Sequence, residues 1–114
     1  MFRNSLSGEV ERFEPIRGKR VNMYVCGPTV QESFHIGHAR TYIIFDSIAK
    51  YMWLSGYSVF YLQNITDIDD KIIRKSQELN ISSQEVALKY TDEYLDIMQK
   101  LGVDSVNYYA RATE

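Results

Sequence analysis

Cys26-Gly-Pro-Thr-Val-Gln-Glu-Ser-Phe-His-Ile-Gly-His38 is the stretch on which the fold turns. On its left, Val21-Asn-Met-Tyr-Val-Cys26 reads as a short buried strand. On its right, Ala39 to Ser55 carries apolar residues at helical spacing: Phe45, Ile48, Ala49, Met52 and Trp53. The intervening loop therefore opens beyond the carboxyl end of a strand, where open α/β sheets bind their ligands. It places one thiol and two imidazoles at that opening.

Reading outward, Gly56 falls where a left-handed helix stop is expected, and Tyr57-Ser-Val-Phe-Tyr-Leu62 is a second β-prone run. Strand, helix and strand fit a βαβ unit, so the sheet is predicted parallel. Asn64-Ile-Thr-Asp-Ile-Asp-Asp70 then leads into a helix through Lys71, Ile72, Ile73, Lys75 and Leu79, and Asn80 can stop it. Ser82 and Glu85 form a capping box for a third helix, whose stripe is Val86, Ala87, Tyr90, Tyr94, Met98 and Leu101. Residues 1–20 alternate weakly and are expected to form an N-terminal β-ribbon, with residues 21–114 as an incomplete Rossmann-like unit. The segment from Val103 to Glu114 shows no period and is expected to carry no further strand.

The chain has 114 residues, of which 45% are hydrophobic and 25% charged, an ordinary globular balance for one domain. No apolar run approaches the ~20 residues that span a bilayer, and no signal peptide is visible, so no membrane partner and a cytoplasmic location are expected. The single cysteine excludes an internal disulfide, and a net charge of −2 gives no electrostatic reason to bind nucleic acid. If RNA is a partner, another part of the protein must hold it.

Three groups of residues could carry chemistry. His35-Ile-Gly-His38 contains the only two histidines of the chain, at a strand-to-helix opening. There a triphosphate can dock on free backbone N–H groups and the positive end of the helix dipole while imidazoles donate to phosphoryl oxygens. Gly37 lets a flat ring approach the backbone. A zinc site of Cys26, His35 and His38 is the competing reading, disfavoured because structural zinc sites use four ligands and this chain has one cysteine and one histidine pair. Asp67, Asp69 and Asp70 can be read as a magnesium cluster, but acids in a first helical turn are commoner as caps and dipole partners. Thr66 ends the second strand beside the same crevice.

Taken together, Cys26-Gly-Pro-Thr-Val30, His35-Ile-Gly-His-Ala-Arg-Thr41, Phe45-Asp46, Asn64-Ile-Thr-Asp-Ile-Asp-Asp-Lys71 and Arg111-Ala-Thr-Glu114 resemble, in order and spacing, the N-terminal signature of the cysteinyl-tRNA synthetases, class I aminoacyl-tRNA synthetases. The resemblance implies the first half of a Rossmann-like catalytic domain that activates cysteine with ATP and Mg2+ and transfers it to tRNA(Cys). It implies that His35 and His38 are catalytic, with Pro28, Thr29 and Gly37 joining them around ATP. Gly27 and Thr66 would line the cysteine pocket, and Cys26 would be one ligand of a Zn2+ ion that selects the substrate thiolate over serine.

Members of that family are several times longer. The further zinc ligands, the Lys-Met-Ser-Lys-Ser type loop and an anticodon-binding domain have no counterpart here, so the chain is read as an N-terminal fragment that does not charge tRNA by itself. Its uncovered apolar surface is expected to favour self-association. A mycothiol-pathway ligase joining cysteine to glucosaminyl-inositol is the nearest alternative, although its motif more often resembles His-Leu-Gly-His-Ala-Ala-Thr. A non-catalytic nucleotide-binding module is the alternative of another class.

Overall fold

The computed structural model describes all residues from Met1 to Glu114. A two-residue antiparallel ribbon comes first, β1 (Phe2–Arg3) against β2 (Val10–Glu11). Then follow β3 (Arg20–Val25), α1 (Ile36–Leu54), β4 (Ser58–Ile65), α2 (Asp70–Leu79), α3 (Ser83–Lys100) and β5 (Tyr108–Arg111). Edge-to-face contacts from Phe2 to Phe13 and from Phe13 to Tyr57 attach the ribbon to the turn that follows α1. No helix is long and apolar enough to cross a membrane.

The sheet is parallel, as the βαβ reading requires, with strand order β3-β4-β5. One expectation fails here: the segment after Val103 contains β5, paired with β4 from Leu62↔Tyr108 to Ile65↔Arg111. Four residues are too few to show a period, and two brackets set their register. At one end Asn107 accepts the Tyr61 N–H on its side chain and donates its own N–H to the Tyr61 carbonyl, both at 2.8 Å. At the other end Asp67 accepts from the Thr113 N–H (3.1 Å) and hydroxyl (2.6 Å). β4 also runs three residues beyond its expected end at Leu62.

Alternation along β4 decides which face is covered. Tyr61, Gln63 and Ile65 are buried to 1% exposure or less. Tyr61 joins Val25, Tyr42, Ala49, Tyr94, Met98 and Val103 in one core cluster, while Ile65 joins Val30, Ile72, Val86, Ala87 and Tyr90 in the other. The opposite face leaves Tyr24, Phe60 and Tyr108 exposed, so a three-stranded sheet is packed on one side only. The α2 and α3 boundaries follow their capping residues. Asn80 ends α2 in the left-handed conformation (φ 54°), and Ser82 and Glu85 form the reciprocal box that starts α3.

Asp46, on α1, is buried. Its carboxylate accepts from the Ser105 N–H (3.0 Å) and hydroxyl (2.5 Å) and pairs with Lys50 at 2.7 Å. Lys50 in turn reaches Asp104 at 2.7 Å and the Gly102 carbonyl at 2.9 Å, so a single cluster fastens α1 to the connection between α3 and β5. Burial works to raise the Asp46 pKa, but the hydrogen bonds from Lys50 and Ser105 outweigh it and hold the group below its ordinary value. An Asp46→Ala chain loses three acceptor contacts and strands the Ser105 N–H. It is expected to unfold at lower urea concentration by about 2 kcal/mol, followed by Trp53 fluorescence; a loss below about 0.5 kcal/mol contradicts this role.

Candidate active site: the β3–α1 turn

Beyond Val25 the chain leaves β3 but stays zipped to the end of β4. Thr66 donates its N–H to the Pro28 carbonyl (3.0 Å), Val30 donates to the Thr66 carbonyl (3.2 Å), and Thr29 and Thr66 form an isolated parallel bridge. Between these contacts Asn64 accepts the Gly27 N–H on its side-chain oxygen at 2.8 Å and donates to the Thr66 hydroxyl at 3.4 Å. Gly27 and Thr66, the expected pocket residues, are thus joined by Asn64, which the sequence reading did not single out. A β-carbon at Gly27 would lie 1.6 Å from the Asn64 carbonyl oxygen, so only glycine fits this approach of two backbones.

The turn then enters α1 at Ile36, three residues earlier than the apolar pattern indicated, because the histidines cap the helix themselves. His35 is the N-cap, with extended backbone (φ −129°, ψ 170°). Its Nδ1 accepts the His38 N–H, and the His38 Nδ1 accepts the His35 N–H, each at 3.4 Å. This is a capping box in which imidazoles replace the usual hydroxyl and carboxylate. The two rings stack with centroids 3.7 Å apart and 16° between planes. Gly37 leaves room for the fold-back: a β-carbon there would sit 3.0 Å from the His35 ring.

The cap also fixes the chemistry of the rings. A neutral imidazole carries its hydrogen on one nitrogen, so an Nδ1 that accepts a backbone N–H assigns the hydrogen to Nε2. Both histidines therefore present Nε2–H donors at the start of a helix. Burial, and after it the neighbouring His35, push the His38 pKa below the ordinary imidazole value against the pull of Glu32, which keeps the ring neutral. Phe34 meets the His38 ring edge-on at 5.4 Å, and Tyr42 stacks on it at 6.4 Å. The Tyr42 hydroxyl, its pKa pushed up to about 12 chiefly by burial, stays protonated and donates to the Cys26 carbonyl at 3.4 Å.

The histidines gather with Glu32 and not with Cys26. One side-chain ligand atom from each of Glu32, His35 and His38 lies within 4.8 Å of the others, and Glu32 is 3.7 Å from the His35 Nε2. The competing zinc site of Cys26, His35 and His38 is therefore not assembled. The trio with Glu32 is also a poor cation site, because a metal on Nε2 would displace its hydrogen onto Nδ1 and break both capping bonds. Cys26 is an exposed free thiol, 3.9 Å from the Tyr24 hydroxyl, and belongs to no cluster of three ligand side chains.

The acids after β4 do not gather around a cation site either. Asp69 caps α2 through the Lys71 N–H (2.8 Å), Asp70 is the first residue of α2, and Asp67 is occupied by Thr113. Capping, the favoured reading, accounts for Asp69. The role of Asp67 as a clamp on the C-terminal segment had no signature in the spacing.

The parallel sheet with its connecting helices has counterparts among solved structures. The methionyl-tRNA synthetase of Mycobacterium tuberculosis in complex with methionyl-adenylate superposes with a TM-score of 0.75 over 82% of this chain and 18% of that one, at 23% identity. A second structure of that enzyme bound by methionyl-adenylate gives 0.74 over 86% and 19%, at 21% identity. The family described as tRNA synthetases class I (C) catalytic domain matches residues 12–114, and the chain belongs to it. Among curated relatives, the cysteine–tRNA ligase of Thermoplasma acidophilum is 59% identical over 112 residues, covering 98% of this chain and 25% of that protein. The cysteine–tRNA ligase of Saccharolobus solfataricus is 47% identical over 111 residues, 97% of this chain and 23% of that one. The chain thus spans about a quarter of the length of these relatives.

The lowered His38 pKa gives a signed dependence on pH. The unfolded chain binds that proton more tightly, so the stability contributed by the neutral ring is complete above the ordinary imidazole value. It is lost as the pH falls through that value toward the folded one. Urea midpoints measured between about pH 7.5 and about pH 5.5 should fall more steeply for the wild type than for His38→Gln; equal slopes contradict the assignment.

Proposed function

We propose that the longer protein containing this chain activates cysteine with ATP and transfers it to tRNA(Cys). The observation that carries the chemistry is the reciprocal cap, which leaves two Nε2–H donors at the amino end of α1. The observation that carries the amino acid is the 59% identity to a cysteine–tRNA ligase. ATP, complexed with Mg2+, docks its phosphates on the free N–H groups of the first helical turn, with Pro28, Thr29 and Gly37 shaping the approach. As the cysteine carboxylate attacks the α-phosphate and pyrophosphate leaves, His35 and His38 donate to the oxygens on which negative charge grows. They act by preorganised electrostatics and form no covalent bond.

Gly27 and Thr66, held together by Asn64, line the amino-acid pocket in this reading. Cys26 offers the one thiolate available to a soft cation, and the remaining ligands of a zinc ion come from the longer protein. Zinc, when bound, takes sulfur in preference to a hydroxyl and so supplies the discrimination against serine that size alone provides poorly. A cytoplasmic protein fits this activity. The 114-residue chain is proposed not to charge tRNA by itself, and its exposed Tyr24, Phe60 and Tyr108 support self-association of the isolated chain.

The test is cysteine-dependent exchange of pyrophosphate into ATP by the full-length protein, followed by a choice of acceptor. Exchange should require cysteine, and His38→Ala should lower its kcat by about a hundredfold or more. Transfer to tRNA(Cys) completes the expected result. Transfer to glucosaminyl-inositol would assign the mycothiol-pathway reaction instead, and ATP binding without exchange would assign a non-catalytic module.

A further inference from the structure

Phe34 immediately precedes the N-cap, so its N–H lies outside the helical ladder and needs another acceptor. That acceptor is on a different element. Glu93 of α3, 59 residues further along the chain, takes the Phe34 N–H on Oε1 at 3.2 Å. The next residue, Tyr94, packs its ring on the Phe34 ring at 5.7 Å and meets Tyr42 edge-on at 5.6 Å. Its hydroxyl donates to the buried Gln63 at 2.5 Å, which pins it to β4. Backbone and ring of Phe34 are therefore both docked on α3.

The docked ring forms one wall of His38. His35 stacks at 3.7 Å, Phe34 meets the ring edge-on at 5.4 Å, and Tyr42 stacks at 6.4 Å. The bond that sets the His38 tautomer is long, 3.4 Å, so it depends on those walls to hold the ring in place. We propose that Glu93 is a positioning residue for His38: by holding the Phe34 N–H it keeps the Phe34 ring against the imidazole and so fixes the direction of the His38 Nε2–H. This rests on the histidines being the phosphate donors. What Glu93 contributes is an acceptor oxygen, not its charge, since a carboxylate beside a polyphosphate site is electrostatically unfavourable. A glutamine should serve as well.

Two measurements test this. In the 114-residue chain, Glu93→Ala should shift the His38 ring nitrogens in long-range 1H–15N spectra toward a mixture of tautomers, whereas Glu93→Gln keeps the wild-type pattern. Phe34→Leu removes the wall while keeping the N–H bond. It should reproduce the alanine spectrum, and it decides the matter if Glu93→Ala does not fold. Lys50→Met, which weakens the distant Asp46 cluster, should lower stability and leave the His38 signals unchanged.

In the full-length protein, Glu93→Ala should lower the kcat of pyrophosphate exchange about tenfold with KM for ATP within about threefold, and Glu93→Gln should stay within about twofold of wild type. Wild-type His38 signals in both Glu93→Ala and Phe34→Leu would overturn the proposal, as would a glutamine variant damaged as much as the alanine one. If wild-type protein shows no cysteine-dependent exchange, the proposed reaction falls, and the spectra still decide whether Glu93 positions His38.

Discussion

Two imidazoles that cap one another's backbone are the constraint on which the site depends. Helix starts leave N–H groups without partners, and these are usually satisfied by a hydroxyl or a carboxylate. Here His35 and His38 take that role, and the consequence goes beyond helix stability. Each Nδ1 is committed to the backbone, so each Nε2 carries a hydrogen, and both rings become donors to an anion and poor ligands for a cation. A single arrangement thus starts α1, stacks the rings and turns both Nε2–H groups into donors.

The rest of the structure holds that arrangement at the end of the sheet. Asn64 brackets Gly27 and Thr66, so the loop leaving β3 stays zipped to β4 until Val30. The Asp46 cluster fixes α1 to the approach of β5, and Asp67 fixes the residues after β5 to those after β4. From the third helix, Glu93 and Tyr94 reach the residue before the cap. Apart from the local Asn64–Thr66 and Asp46–Lys50 contacts, these join segments far apart in the chain. The turn is held by its neighbours more than by its own propensity.

That distribution explains what was legible in the sequence. The βαβ order, the Asn80 stop and the Ser82/Glu85 box are written in local spacing, and the strand-to-helix opening was visible because both histidines of the chain fall in it. The start of α1 was placed three residues late because histidine is an unusual cap, and apolar periodicity begins only after it. β5 was missed because Asn107, Asp67 and Thr113 determine its register from outside the strand. Glu32, Asn64 and Glu93 carry no motif of their own; tertiary placement alone brings them to the turn. Asp67 illustrates the reverse error, an acid in an acidic run whose partner is a distant threonine.

Gly27 and Gly37 show how closely a sequence motif and steric need can coincide: one is demanded by the Asn64 carbonyl, the other eases the fold-back of the His35 ring. Both reasons are internal to the fold and precede any ligand. The account as a whole stands on the tautomers, and these are directly observable. Long-range 1H–15N correlation spectra of the wild-type chain, taken where the rings are neutral, should show the hydrogen of each histidine on Nε2. A hydrogen on Nδ1 of either ring would contradict the reciprocal cap and the donor pair that follows from it.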